Sequence, residues 1–118
     1  MLSYRHAYHA GNHADVLKHL VLVQLTRYLG QKDKPFWYVD THAGAGIYAL
    51  DSVHATKLAE YKNGVARLWE RKDLPASLAE YMAIVRQLNP DRKLRAYPGS
   101  PYFALWTMRE QDRLRLFE

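Results

Sequence analysis

The chain has 118 residues, of which 48% are hydrophobic and 25% charged, an ordinary balance for one globular domain. It contains no cysteine, which excludes disulfides, thiolate zinc sites and cysteine nucleophiles. It has no run of about 18 apolar residues and no signal peptide, so we expect a cytoplasmic protein without a membrane partner.

The net charge of +5 is unevenly distributed along the chain. Residues 54–95 carry nine Lys/Arg against five Asp/Glu and therefore hold four of the five net charges. An excess of this size fits a solvated helical surface as well as it fits a surface for nucleic acid or a phosphate-bearing ligand.

The first half of the chain shows an arm, a helix, a strand and a glycine loop. Residues 1–12 predict an irregular arm, and Asn12 predicts the N-cap of a helix that ends at Gly30. Residues 36–40 form a short aromatic and β-branched run that predicts a buried strand. A helix, a strand and a glycine loop in this order are typical of an α/β domain.

The second half is first helical and then returns to a strand. Residues 54–88 predict two helices, which Asp73-Leu74-Pro75 separates. After a brief strand or extended lead at 94–97, Ser100 is expected as the N-cap of a helix that runs to about Glu110. Residues 112–118 alternate as a strand.

Gly44 and Gly46 follow the strand that ends in Asp40, as in a cofactor loop. Glycine permits a tight turn and a close approach of the backbone to a ligand, but many turns without a ligand look the same. The next strand ends in Glu118, which could accept ribose hydrogen bonds or could be a surface residue at an arbitrary chain end. The long separation between loop and acid indicates a two-helix insertion within a Rossmann-like unit. A third glycine and a Walker-type lysine are missing, which argues against NAD, FAD and ATP and leaves S-adenosylmethionine.

The first nineteen residues are rich in rings and cations that could grip a nucleotide or could simply pack on the domain. They are Tyr4, Arg5, His6, Tyr8, His9, His13, Lys18 and His19. His9 and His13 could share a helix face as metal ligands, but no carboxylate stands at a ligand spacing and Gly11-Asn12 interrupts the helix. We therefore expect no metal.

Five segments resemble the bacterial 23S ribosomal RNA adenine-N6 methyltransferase J family. They are Met1-Leu2-Ser3-Tyr4-Arg5-His6, His9-Ala10-Gly11-Asn12-His13-Ala14-Asp15-Val16-Leu17-Lys18-His19, Asp40-Thr41-His42-Ala43-Gly44-Ala45-Gly46, Tyr97-Pro98-Gly99-Ser100-Pro101 and Arg109-Glu110-Gln111-Asp112. The resemblance implies a class I methyltransferase fold with an inserted helical subdomain, acting on 23S ribosomal RNA with S-adenosylmethionine. It implies that Tyr4, His6 and Lys18 face the substrate. The cofactor-binding residues that it implies are His19, His42, Gly44, Gly46, Ser100 and Glu118.

The resemblance covers an N-terminal part only. Adenine-N6 methyltransferases carry an Asp/Asn-Pro-Pro-aromatic motif that holds the flipped base, and no Pro-Pro occurs in these residues. We therefore expect a portion truncated after the second strand, inactive alone and monomeric at full length. Its parts are expected to be 1–53 and 96–118 of the methyltransferase domain and an insertion at 54–95. The alternative is a non-catalytic nucleic-acid-binding protein linked to the use of external DNA.

Overall fold

The computed structural model describes residues 5–117, so Tyr4 and Glu118 lie outside the described residues. In chain order the elements are α1 (His13–Gly30), β1 (Trp37–Asp40), β2 (Ile47–Ala49), α2 (Val53–Leu58), α3 (Val65–Trp69), α4 (Ala76–Gln87), β3 (Ala96–Pro98), α5 (Ser100–Thr107) and β4 (Arg113–Leu116), with short 3₁₀ turns at His6–Tyr8 and Glu60–Asn63. No helix among the described residues is long and apolar enough to cross a membrane.

Strands β1 and β4 pair in parallel, which confirms the two strands predicted at 36–40 and 112–118. Trp37 lies opposite Arg113 and Asp40 opposite Leu116. Beyond the strands, the Phe117 N–H donates to the Asp40 carbonyl at 2.8 Å. The carboxyl ends of both strands therefore meet where the glycine loop begins, which is the edge where α/β sheets bind ligands.

Arg109 and Asp112 hold the start of this strand pair together. The carboxylate of Asp112 accepts the Phe36 N–H at 3.0 Å and the Arg109 guanidinium at 3.1 Å. The same guanidinium donates to the carbonyl of Gly30 at the end of α1 and to those of Lys32 and Lys34 in the loop that follows. Hydrogen bonds from Arg109 lower the pKa of Asp112 to about 2. The segment 109–112 is therefore a structural clamp.

Strands β2 and β3 form an antiparallel ribbon. A brief strand or extended lead was predicted near β3, at 94–97, but no strand was predicted at the position of β2. Tyr48 lies opposite Tyr97 and Ala49 opposite Ala96. Three residues are too few to show an alternating pattern, and the partner strand is about fifty positions away, so local sequence carries no signal for the pairing.

Helix α1 begins as predicted, since the Asn12 side chain accepts the Asp15 N–H at 2.8 Å. Its buried positions, however, are largely polar and comprise Asp15, His19, Val23 and Thr26. The apolar residues Leu17, Val21, Leu25 and Tyr28 are exposed on the other side. Because both faces carry apolar residues, the sequence predicted the helix without revealing which face is buried.

The first helix predicted after residue 54 is broken, and the prediction of a single helix there is wrong. The chain turns at Ala59, whose φ is 51°, and again at Gly64. The Val65 N–H donates to the Gly11 carbonyl at 2.9 Å, and a Cβ on Gly64 would overlap that same carbonyl oxygen. Contact with the arm therefore interrupts the helix.

Helix α5 differs from its prediction at both ends. Gly99 occupies the N-cap position, so Ser100 is the first helical residue and its hydroxyl is left for other partners. The helix ends at Thr107 and not near Glu110, because Met108 is extended with ψ 155°. Residues after Met108 instead form the clamp.

Candidate cofactor and substrate site

A cavity of about 400 Å³ opens beside the carboxyl end of β1. It is lined by His6, Lys18, His19, His42, Ala43, Gly44, Tyr48, Gly99 and Ser100. Six of these were predicted as site residues, namely His6, Lys18, His19, His42, Gly44 and Ser100. They come from the arm, α1, the glycine loop and α5, so the fold assembles the cavity from distant parts of the sequence.

Gly46 lies beside the cavity and does not line it. Its carbonyl accepts the Gly99 N–H at 2.7 Å and thereby joins the glycine loop to the start of α5. A Cβ on Gly99 would overlap the carbonyl oxygen of Ala45. Gly99 is therefore needed because two backbones touch there, whereas a Cβ on Gly46 would meet no atom within 4 Å.

Gly44 adopts a left-handed conformation with φ 64°, which favours glycine. Tyr48 folds back beneath this turn, where its hydroxyl accepts the Ala45 N–H at 3.1 Å. A Cβ on Gly44 would lie 2.7 Å from the Tyr48 hydroxyl. The loop therefore presents bare backbone along the cavity wall.

His19 is buried and both of its ring nitrogens contact hydroxyl groups. Nδ1 lies 2.8 Å from the Tyr97 hydroxyl and Nε2 lies 3.0 Å from the Ser100 hydroxyl. The ring stacks on Phe103 with centroids 4.6 Å apart. Burial lowers the pKa of His19 to about 4, although the nearby Asp15 acts in the opposite direction. The imidazole is therefore neutral at pH 7 and carries a single N–H.

Asp15 connects the arm to α1. Its buried carboxylate accepts the His6 Nε2–H at 2.8 Å and the Gly11 N–H at 3.0 Å. Burial alone would raise the pKa of Asp15, but the His6 hydrogen bond, the electrostatic interaction with His19 and the Gly11 N–H together lower it. Among the described residues its second oxygen, Oδ1, has no hydrogen-bond partner and lies 3.6 Å from Nδ1 of His19.

Asp40 organises the other wall. Its carboxylate accepts the Tyr38 hydroxyl at 2.9 Å and the His42 N–H at 3.0 Å. Burial raises the pKa of Tyr38, and so does the hydrogen bond to Asp40, whereas a hydrogen bond from Ser100 opposes that rise. The exposed His42 ring lies beside the Thr41 hydroxyl at 2.9 Å.

The remaining histidines do not form a metal centre. The His9 ring lies 3.0 Å from the Glu60 carboxylate, which ties the arm to the turn after α2. Within residues 5–117, no group of three or more histidine, cysteine, aspartate or glutamate side chains could hold a metal ion.

Four residues that shape this site were not predicted as site residues. Tyr48 lines the cavity, Tyr97 and Tyr81 extend the contacts of His19, and Asp15 was recognised only as part of a helix start. Their roles depend on contacts between residues far apart in the chain, such as the 2.7 Å contact of the Tyr81 and Tyr97 hydroxyls.

Parallel strands with a glycine loop and a cavity at their carboxyl end define an α/β protein whose candidate ligand site lies at the sheet edge where such folds bind ligands. Residues 33–118 match the family described as ribosomal RNA large subunit methyltransferase D, RlmJ. The chain belongs to this family.

Two curated relatives match the whole chain. Each is named ribosomal RNA large subunit methyltransferase J, and they are 56% identical in Escherichia coli K12 and 50% identical in Haemophilus influenzae Rd. The chain spans 42% of the length of each of these relatives. A crystal structure of a Legionella pneumophila protein matches with a TM-score of 0.83 and 47% identity, over 91% of this chain and 39% of that one.

Proposed function

We propose that this chain is the N-terminal part of an S-adenosylmethionine-dependent enzyme that methylates an adenine N6 of 23S ribosomal RNA. The observation that carries the proposal is the cavity, which gathers six predicted cofactor- and substrate-side residues at the carboxyl end of β1. The names and identities of the curated relatives support the same reaction class.

The site fits S-adenosylmethionine on three features of its own geometry. The Gly44 turn leaves backbone exposed where a Cβ would collide with Tyr48, the Ser100 hydroxyl reaches the lining, and the neutral His19 ring adds no charge. When bound, the cofactor supplies an electrophilic methyl group on its sulfonium. His19, His42, Gly44 and Ser100 would hold it, with Gly46 fixing the loop beneath.

Glu118 is proposed as the partner of the ribose hydroxyls. Phe117, the last described residue, continues β4 past Asp40, and its carbonyl accepts the Ala43 N–H at 2.9 Å. The residue that follows therefore comes directly after a contact with the glycine loop. A carboxylate at the end of the second strand is the usual acceptor for ribose hydroxyls in such folds.

Lys18, His6 and Tyr4 are proposed to face the RNA substrate. Lys18 is exposed on α1 and lines the cavity, so its ammonium can reach a phosphate. The ring of His6 is anchored to Asp15 and lies 5.2 Å from the Tyr48 ring, which leaves it at the cavity wall. Flat rings at such a wall can stack on an unpaired base.

We infer a Rossmann-like domain made of residues 1–53 and 96–118, with residues 54–95 inserted. The pairing of β2 with β3 supports this division, because the chain leaves at Ala49 and returns at Ala96 directly opposite. The inserted helices then pack on α1 and do not form a separate core, since Tyr81, Val85 and Val23 belong to one buried cluster. We expect the full-length protein to act as a cytoplasmic monomer.

The first test is calorimetric titration of S-adenosylhomocysteine into the full-length protein and its Glu118→Ala variant. The variant should bind more weakly by about 1–3 kcal/mol, because a charged hydrogen-bond partner is lost. Glu110→Ala removes an equally charged residue from the exposed turn before β4 and should leave the affinity unchanged. Equal affinity of the wild type and Glu118→Ala would refute the ribose assignment.

The reaction itself is tested with protein-free 23S ribosomal RNA and methyl-labelled S-adenosylmethionine. The label should appear in N6-methyladenosine when the RNA is digested to nucleosides. If the full-length protein neither binds S-adenosylhomocysteine nor labels RNA, the methyltransferase proposal fails and the non-catalytic nucleic-acid-binding alternative is favoured.

A further inference from the structure

Tyr48 is the middle residue of strand β2, and its side chain lies between the arm and the glycine loop. The backbone before it is fixed, because the Gly46 carbonyl accepts the Gly99 N–H at 2.7 Å. Tyr48 itself lies opposite Tyr97 in the antiparallel ribbon. Its side chain is half-buried and lines the cavity. The ribbon therefore holds the Tyr48 ring at a fixed point of the cavity wall.

The hydroxyl of Tyr48 supports the glycine loop. Its oxygen accepts the Ala45 N–H at 3.1 Å. The preceding residue, Gly44, has a φ of 64°, and a Cβ there would lie only 2.7 Å from the same hydroxyl. Glycine has many accessible backbone conformations, so a hydrogen bond to the next residue restricts the turn to one of them. The shape of the loop at the cavity therefore depends on this hydroxyl.

The ring of Tyr48 supports the arm. It meets the His6 ring edge to face, with centroids 5.2 Å apart and planes inclined at 64°. The carboxylate of Asp15 accepts the His6 Nε2–H at 2.8 Å, but one hydrogen bond leaves the ring able to turn about the N–H axis. An edge-to-face contact is directional and restricts the plane of the ring. The Tyr48 ring therefore sets the orientation of His6, which also lines the cavity.

A residue that only filled the core would not need a hydroxyl at this position. Tyr48 does pack against the buried hydrophobic cluster, where phenylalanine would supply the same ring. The hydroxyl is the part that core packing leaves unexplained, and it is the part that reaches the glycine loop. Tyr48 therefore has two separable contacts, one with the loop and one with the arm.

We propose that Tyr48 is a positioning residue for methyl transfer. Its hydroxyl holds the glycine loop in the shape that receives the cofactor, and its ring holds His6 in the orientation that receives the substrate nucleotide. The inference rests on the proposed function, because that function assigns both ligands to this cavity. Phenylalanine at position 48 removes the first contact alone, whereas leucine removes both.

Amide hydrogen exchange of the full-length protein, followed by NMR, tests the loop contact without cofactor or activity. The Ala45 N–H should exchange about three- to tenfold faster in Tyr48→Phe than in the wild type, because its hydrogen-bond acceptor is lost. Equal exchange rates would overturn the proposal, since the hydroxyl would then not hold the loop.

Calorimetry with S-adenosylhomocysteine and methyl transfer to 23S ribosomal RNA test the two contacts separately. Tyr48→Phe should raise the Kd of S-adenosylhomocysteine and the KM of S-adenosylmethionine about three- to tenfold. Its kcat should stay within about twofold of the wild type, because the ring that contacts His6 is retained. Tyr48→Leu should raise the Kd by a similar factor and also lower kcat about tenfold or more, because His6 loses its orientation. A merely structural role would change Kd and kcat together in both variants.

Tyr102→Phe and Tyr102→Leu are the matched controls. Tyr102 is a half-buried tyrosine that stacks on Trp106 in α5, outside the cavity lining. Both variants should keep the Kd, KM and kcat of the wild type. If Tyr48→Phe binds S-adenosylhomocysteine as tightly as the wild type, or if Tyr48→Phe and Tyr48→Leu share one kcat, the proposal is overturned.

The outcomes separate this proposal from the proposed function. If the wild type neither binds S-adenosylhomocysteine nor methylates RNA, the proposed function is lost, whereas the Ala45 exchange rates still show whether Tyr48 holds the loop. If Tyr48→Leu does not fold, the exchange rate and the affinity of Tyr48→Phe still decide, because a wild-type value of either overturns the proposal.

Discussion

His19 makes the stability of the fold depend on pH. Its folded-state pKa of about 4 lies below the ordinary value of 6.5, because burial disfavours the charged ring. The unfolded chain therefore binds a proton that the folded chain does not, and stability falls as the pH decreases through this window. The contribution is complete above pH 6.5 and is lost progressively toward pH 4.

We expect the unfolding free energy of the wild type to fall by about 3 kcal/mol more than that of His19→Gln between pH 7.5 and 4.5. Urea unfolding of both proteins at several pH values measures the difference. The lowered pKa of Asp15 acts in a lower window, below its ordinary value of 3.8, and can be distinguished. Parallel pH profiles for the two proteins would show that His19 is not the buried titrating group.

Individual site residues were predictable from sequence only through motifs. The family segments predicted five side chains that line the cavity, namely His6, Lys18, His19, His42 and Ser100. The contacts that these residues make were not predictable, since Tyr97 is 78 positions from His19 and Ser100 is 81 positions from it. A lone buried histidine gives no local sign of which hydroxyls will surround it.

At the scale of elements, the glycine loop and the start of α5 approach each other closely beside the site. Gly99 lies against the backbone of Ala45, and its N–H donates to Gly46. Gly99→Ala should force these segments apart, destabilise the protein by about 1–3 kcal/mol and weaken S-adenosylhomocysteine binding. Thermal unfolding and calorimetric titration measure the two effects.

Gly30→Ala is the matched control for this change. Gly30 is the last residue of α1, and a Cβ there would meet no atom within 4 Å. Alanine should therefore stabilise the helix by about 0.5–1 kcal/mol and leave ligand binding unchanged. If Gly99→Ala behaved like Gly30→Ala, the close approach at Ala45 would not constrain the site.

Helices and strands were predictable where the sequence pattern that specifies them is long and lies within the element itself. Helices α1 and α4 and the parallel strands β1 and β4 follow from periodicity and caps. The break at Gly64 and the strand β2 were not predictable, because each is caused by a partner elsewhere, Gly11 in one case and β3 in the other. The buried face of α1 was equally unpredictable, since the polar residues Asp15 and His19 lie on it.

At the scale of the whole molecule, four basic residues of the segment 54–95 surround Trp69, apart from the residues that line the cavity; they are Arg71, Lys72, Arg86 and Arg92. Trp69 and Arg86 stack there with the guanidinium carbon 5.8 Å from the ring centroid, and Arg71 and Lys72 line the same depression. Arg71 is paired with Asp73 at 2.7 Å, whereas Lys72 and Arg92 are exposed. Cations beside an aromatic ring suit a phosphate backbone with unpaired bases.

We therefore expect the double variant Lys72→Gln/Arg92→Gln of the full-length protein to bind 23S ribosomal RNA more weakly. Each lost phosphate contact should reduce the slope of log affinity against log salt by about 0.7–0.9, because fewer counterions are released. The control Lys32→Gln/Lys34→Gln removes the same charge from the loop between α1 and β1, while the Arg109 clamp, which uses the backbone carbonyls there, is retained. Binding titrations between low and moderate salt measure both slopes. If the two double variants show the same slope, the RNA responds to net charge alone and the surface on residues 54–95 is not where it lies.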